Sequence, residues 1–344
     1  MSHGPSDTEN TETPHVSHTN NGSFIVPALR IFALASVAVC GSFLVSNYLN
    51  FWWKWPGLNE LFVDPAAMDT LSWIQVMLYG LPIIAVVLMV IRTPGRALHE
   101  DSEMLSDVTA YIIRAAFWGV LLIGIADVLI SFLRVEGFLV GIAGKQLASD
   151  LGRSAFRGAF VHYPILAAAF IIAFFNRSLG FTWLALLIVV AEILIVIARF
   201  VFSYEQAFMA DLVRFWYGAL FLFASAYTLI NEGHVRVDII YASFSERGKA
   251  WTNTLGSTFL GMPLCWIVLT MGMWTQSNVI TGPMLSYEVT QSGYGLYVKY
   301  LLAAFLLVFA VSMLIEFASY MLRNAAVLLH EPDYHPDLEE HAKI

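Results

Sequence analysis

Eight predominantly apolar stretches recur along this chain, near 27–50, 71–92, 109–133, 158–175, 179–203, 210–230, 253–275 and 298–322. Each is close to the roughly 20 residues that a helix needs to cross a bilayer. Hydrocarbon offers no water to backbone N–H and C=O groups, so a lipid-facing run of this length has to satisfy them internally, as a helix. The expected fold class is an all-α polytopic membrane protein with about eight transmembrane helices. Composition agrees: 58% of the 344 residues are hydrophobic and 13% are charged, against about 25% charged in soluble domains. Trp52, Trp53 and Trp55 close the first run as an interfacial aromatic belt would.

The connectors are polar or charged. "RTPGRALHEDSE" follows the second run, "RVEGFLVGIAGKQLASDLGRSAFR" the third, and "SYEQAFMAD" separates the fifth from the sixth. The short "NRSLG" joins the fourth and fifth as an antiparallel hairpin of helices. Basic residues are shared evenly between the two sides. Several on the side opposite the termini sit at helix ends, where they can snorkel, and this tilts the expected orientation towards cytoplasmic termini.

Net charge is −8, partly concentrated in the tail "EPDYHPDLEEH". Nucleic acid, which would need a basic patch, is therefore not expected as a partner. The opening "MSHGPSDTENTETPHVSHTNNGS" is polar and lacks Lys and Arg, so residues 1–26 read as a disordered tail rather than a cleaved leader. Cys40 and Cys265 lie far apart inside apolar runs and read as small hydrophobes. No phosphate loop, HExxH pair or GxSxG elbow is present. Of the nine histidines only His162 lies near a span, which argues against a diheme core with facing axial ligands. No enzymatic activity and no cofactor are expected.

Arg114, Asp127 and Glu192 stand out as ionisable residues inside spans. A carboxylate left in lipid costs several kcal/mol by common scales, about 2.5–3.5 for Asp at a helix centre. Such residues are read first as an ion or proton pathway. Neither acid has a second acid in its own span and no convincing pair of broken helices is found, so the favoured reading is that each is buried against a polar group of a neighbouring helix, or protonated, and acts only in assembly. "LLIGIADVLISFLR" (121–134) and "LLIVVAEILIVIAR" (186–199) match at a constant shift of 65 positions, each with an acid followed seven residues later by arginine. Seven residues are two turns, so acid and arginine share a face. With one span between them the two helices run in the same direction, a parallel repeat unlike the inverted repeats of many carriers.

The most polar stretch of the second half is "NEGHVRVDIIY", 231–241, directly after the sixth run. Gly233 is placed to cap the helix in the left-handed conformation. Beyond it, His234, Arg236 and Asp238 alternate with apolar residues, so an extended interfacial segment would put Arg236 and Asp238 on one side; on the residues alone an ordinary interfacial loop is the plainer reading. Ser243 or Ser245 is the expected start of the next helix, with an acid in its first turn.

The run "GHVRVDIIYASFSERGKAW" resembles the signature of the small membrane subunit of TRAP transporters, the DctQ-like family of tripartite ATP-independent periplasmic systems. "RFVF" with Arg199, Asp211 standing 23 positions before His234, and Glu288, Gly295 and Lys299 of "SYEVTQSGYGLYVKY" agree in order and spacing. Tyr297 and Ala303 depart from the pattern, standing where the family often has proline, so the entry into the last span is expected to differ. The resemblance covers about 179–325. It implies four regions: the tail 1–26, a four-span extension 27–176, a DctQ-like four-span domain 177–325 and an acidic tail 326–344.

What the resemblance implies for function is a scaffold in the bacterial inner membrane. It would flank a large DctM-like subunit that moves an organic acid anion by sodium coupling, with a periplasmic binding protein delivering that anion. Its implied contact or structural residues are Gly233, His234, Arg236, Asp238, Asp211, Arg199, Glu288 and Lys299. The alternatives are a standalone carrier or channel using Asp127, Glu192 and Arg114, or the membrane anchor of a redox complex.

Overall fold

The computed structural model describes residues 24–58, 61, 68–177, 181–204, 206–230, 241, 243–289 and 295–331. Eight helices within it are long and apolar enough to cross a membrane. They are α1 (Ile25–Trp53), α2 (Thr70–Arg92), α3 (Leu98–Val135), α5 (Ser154–Phe175), α6 (Phe181–Phe202), α7 (Ala207–Ile230), α8 (Glu246–Met273) and α10 (Lys299–Leu329). Two short helices, α4 (Leu139–Leu151) and α9 (Thr281–Ser286), lie in connectors. No strand occurs among the described residues, and the protein is an all-α polytopic membrane protein. The stretch 231–240, with Gly233, His234, Arg236, Asp238 and the expected interfacial segment, lies outside the described residues.

The helices extend beyond the apolar runs wherever polar residues can cap or pair. Helix α3 begins at Leu98 rather than near 109. Glu100 and Asp101 occupy its first turn, where the helix dipole favours acids, and Glu331 accepts from the exposed N–H groups of Leu98 (2.7 Å) and His99 (3.3 Å). Ser245 is the N-cap of α8, its side chain accepting from Gly248 N–H, with Glu246 in the first turn. Asp69 caps α2 in the same way, accepting from Ser72 N–H at 2.8 Å.

Two spans carry a π-helical turn, Gly158–His162 in α5 and Ser257–Gly261 in α8. Each precedes a proline by two residues (Pro164 and Pro263). Proline lacks the N–H that its i−4 carbonyl would take, and a widened turn re-registers the ladder without breaking the helix.

Helices α3 and α10 run antiparallel and link two apolar clusters. Ile123, Phe117, Leu184, Ile188, Phe215, Trp216, Phe223 and Phe305 pack α3, α6, α7 and the start of α10. Ala33, Cys40, Leu98, Leu105, Met262, Leu269, Leu314 and Leu322 pack α1, the start of α3, α8 and the end of α10. Gly124 lets α7 approach α3 closely, because a Cβ there would lie 2.3 Å from the Trp216 indole nitrogen. That nitrogen donates to Val120 C=O at 3.2 Å.

Candidate functional site

At one end of the bundle, where α3 finishes and α10 starts, four connected elements bring ionisable side chains together out of solvent. Asp127 of α3, Arg157 and His162 of α5 are all fully buried. Arg157 Nη1 and His162 Nε2 both donate to Asp127 Oδ1 at 3.0 Å. The remaining guanidinium donors, Nε and Nη2, reach Leu151 C=O at 3.0 and 2.8 Å. His162 Nδ1 lies 2.7 Å from the Tyr300 hydroxyl. A carboxylate only accepts, so Nε2 carries the ring hydrogen and, in the neutral ring, Nδ1 accepts from Tyr300.

The second oxygen of Asp127 accepts the backbone N–H of Tyr297 at 2.7 Å, and Asp211 of α7 accepts that of Leu296 at 3.1 Å. Two acids from different helices thus hold consecutive N–H groups of the segment leading into α10. The Tyr297 ring lies under Arg157, 4.1 Å from guanidinium carbon to ring centroid. Its hydroxyl donates to Gly152 C=O at 3.0 Å and accepts from Arg134. Tyr297 stands where the resemblance leads one to expect proline, and a proline would have no N–H for Asp127.

On the rim, Lys299 Nζ meets Glu288 Oε1 at 2.5 Å and Tyr300 N–H donates to Glu288 C=O at 3.1 Å. The π turn of α5 fits here: a Cβ on Gly158 would lie 2.5 Å from the Tyr287 ring and 3.1 Å from the Tyr300 hydroxyl. The arrangement is a clamp. It leaves Asp127 with both oxygens engaged, and it ties α3 and α5 to α7 and α10.

The sequence-predicted residues divide accordingly. Asp127, Asp211, Glu288 and Lys299 gather at this end. Arg114 is half-buried in α3, and its Nε has no hydrogen-bond partner among the described residues. Glu192 and Arg199 are exposed on the outward side of α6, so the expected burial of Glu192 against a neighbouring helix is corrected. Helix α6 buries only Leu184, Ile188 and Ala191, and Glu192 lies off that seam. Arg157, His162, Tyr297 and Tyr300 complete the site without a sequence signal for that role. Arg157 reads from sequence as a connector charge, and its pairing with an acid 30 positions earlier has no periodic signal.

A second polar cluster closes the opposite end. Arg30 donates to Asp101 Oδ2 (2.6 Å) and to Thr93 C=O (2.6 Å), while Arg96 pairs with the other Asp101 oxygen at 2.9 Å. One turn deeper, Ser106 donates to the buried Glu316 at 3.1 Å and Ser102 meets Ser319 at 2.9 Å.

The fold and these paired charges define a multi-pass membrane protein whose intramembrane polar groups tie helix to helix. Residues 185–326 match the family model described as tripartite ATP-independent periplasmic transporters, DctQ component. Residues 185–326 are thus similar to the DctQ component of such transporters, and further helices long and apolar enough to span a membrane precede the matched region. This is a family of transporter components and not of enzymes. No curated protein and no solved structure matches the chain.

Proposed function

We propose that this subunit scaffolds a large DctM-like permease subunit in the bacterial inner membrane. The large subunit takes up an organic acid anion by sodium coupling, and a periplasmic binding protein delivers that anion. The matched region 185–326 carries this reading. The clamp supports it: Asp127 spends its acceptors on Arg157, His162 and Tyr297 N–H, as a load-holding joint would. Substrate and sodium sites belong to the partner on this reading. On this reading 27–176 is the extension and 177–325 the DctQ-like domain, although α1 already starts at Ile25 and α10 continues to Leu329, past these bounds.

Both termini face the cytoplasm in this arrangement, as does 231–251, while Asp211 and Glu288 face the periplasm. The described helices alternate in direction through eight crossings, which puts Arg30, Leu98 and Glu331 at one end and Asp127, Glu288 and Tyr297 at the other.

Two measurements test the proposal. Affinity capture of the tagged chain from its native membrane should bring down a large multispan permease subunit. Isolation as a single chain that transports alone would overturn the scaffold reading. For orientation, single cysteines at Ser245 and Ser286 are introduced in a Cys40→Ala, Cys265→Ala background. An impermeant thiol reagent on intact cells should label position 286 and spare 245; the reverse pattern inverts the topology.

A further inference from the structure

Helix α6 packs on the bundle by a narrow seam, Leu184, Ile188 and Ala191, with Phe181 and Leu187 partly buried against the same core, and turns its opposite face outward. The outward stripe Val189, Glu192, Ile193, Val196, Arg199 and Phe200 follows helical spacing, and every member is exposed. Glu192 lies 11 residues after Phe181 and 10 before Phe202, or about 15 Å from either end at 1.5 Å per residue. That is the centre of a hydrocarbon layer of about 30 Å. Arg199, three residues from the helix end, can extend its charge towards the headgroups. Glu192 is too short to do so, and it has no hydrogen-bond or ion-pair partner among the described residues.

Its counterpart in the 65-residue repeat shows what such an acid takes. Asp127 occupies the same position in the matched segment of α3 and is met by an arginine and a histidine, both from α5, the span that follows. The span that follows α6 is α7, which packs on the Ile188–Ala191 seam and leaves the acid facing outward. No described residue of this chain brings a cationic side chain to Glu192, which points to another polypeptide as its source.

We propose that the outward stripe of α6 is the docking face for a transmembrane helix of the large permease subunit, one presenting a basic side chain at the depth of Glu192. This rests on the scaffold reading above. Intramembrane acids face partners or polar cavities rather than lipid. The flanking Val189, Ile193 and Val196 supply the apolar packing that holds two helices together in a membrane.

The test uses the full chain co-expressed with the large subunit of the same transporter. Photoreactive residues are placed singly at Val189, Ile193 and Val196, with Leu81 and Ile84 of α2 and Leu264 and Met271 of α8 as exposed controls. Adducts with the large subunit are expected from the α6 positions and not from the controls. Glu192→Lys should lower co-capture at least tenfold and Glu192→Gln by less, at equal membrane levels. Normal capture with adducts only from α2 or α8, with adducts between two copies of this chain, or with no protein adducts overturns the assignment of the face but leaves the scaffold reading standing. Failure of the wild-type chain to capture the large subunit overturns that reading, and this inference falls with it.

Discussion

Asp127 is the residue on which the two halves of the sequence converge, and its chemistry predicts a specific energetic pattern. Breaking a buried ion pair by removing one member costs about 3–5 kcal/mol, because the other charge stays buried without compensation. Asp127→Ala and Arg157→Ala should each lower thermal stability in detergent strongly. The double variant should be less destabilised than the sum of the two, with a coupling of about 0.5–3 kcal/mol. Strict additivity would mean that the pair is not coupled. Tyr297→Phe should be mild, since it keeps the N–H to Asp127 and the ring under Arg157, whereas Tyr297→Pro should approach the loss seen for Asp127→Ala. Asp69, outside the spans, gives a contrasting case. The Ser72 backbone N–H holds its carboxyl below the usual range. A depressed carboxyl contributes stability above its unfolded pKa, about 3.9, and loses it as pH falls through the folded value. The melting difference between wild type and Asp69→Ala should therefore be full near neutral pH and vanish on strong acidification. Of the buried clamp, sequence shows Asp127 because an acid inside an apolar run is conspicuous. Arg157 and His162 stay hidden, one in a polar connector and one at a span boundary, and their meeting depends on how α5 crosses α3.

At the scale of the elements, the eight spans are legible because hydrocarbon thickness converts directly into run length, and no competing fold uses such runs. Their ends are not legible. Helix α3 gains the turns containing His99–Glu103 because Glu331, from the far end of the chain, satisfies its first N–H groups. The π turns of α5 and α8 escape notice because a proline in a span predicts a disturbance without saying which kind. The parallel repeat is likewise visible as a pattern, but it does not tell which face each copy buries: α3 is enclosed and α6 is peripheral. Glycines give a test at this scale. Gly124→Ala should destabilise, since its Cβ would overlap the Trp216 ring nitrogen at 2.3 Å, and overpacking of this kind costs about 1–3 kcal/mol. Gly80→Ala, with nothing within 4 Å of its Cβ, should be neutral or stabilising by up to about 1 kcal/mol through helix propensity. Thermal melting in one detergent compares the two, and equal effects would refute the close approach of α3 and α7.

For the whole molecule, the question is whether the extension before residue 177 is a separate unit or part of one body. Helix α10 packs against α7 and α8 of the DctQ-like region and against α3 and α1 of the extension, and α3 supplies partners for buried polar groups of α10 at both ends. Ser102 and Ser106 meet Ser319 and Glu316, and Asp127 holds Tyr297 N–H. A chain starting at Arg177 removes an even number of spans, so the remaining four keep their orientation and can insert. It would still carry the α6 face and should retain association with the large subunit. It leaves Glu316 and Tyr297 N–H without those partners, however, so its thermal stability should fall well below that of the full chain. Residues 1–176 co-expressed as a separate piece should restore it, because the ties between halves are side-chain bonds and apolar packing that need no covalent link. The two pieces should be captured together, and Asp127→Ala in the first piece should reduce that recovery at least tenfold, in line with the buried-pair cost of about 3–5 kcal/mol. If the 177–344 piece melts like the full chain and does not recover 1–176, the extension is an appended unit and the clamp is not what joins the halves.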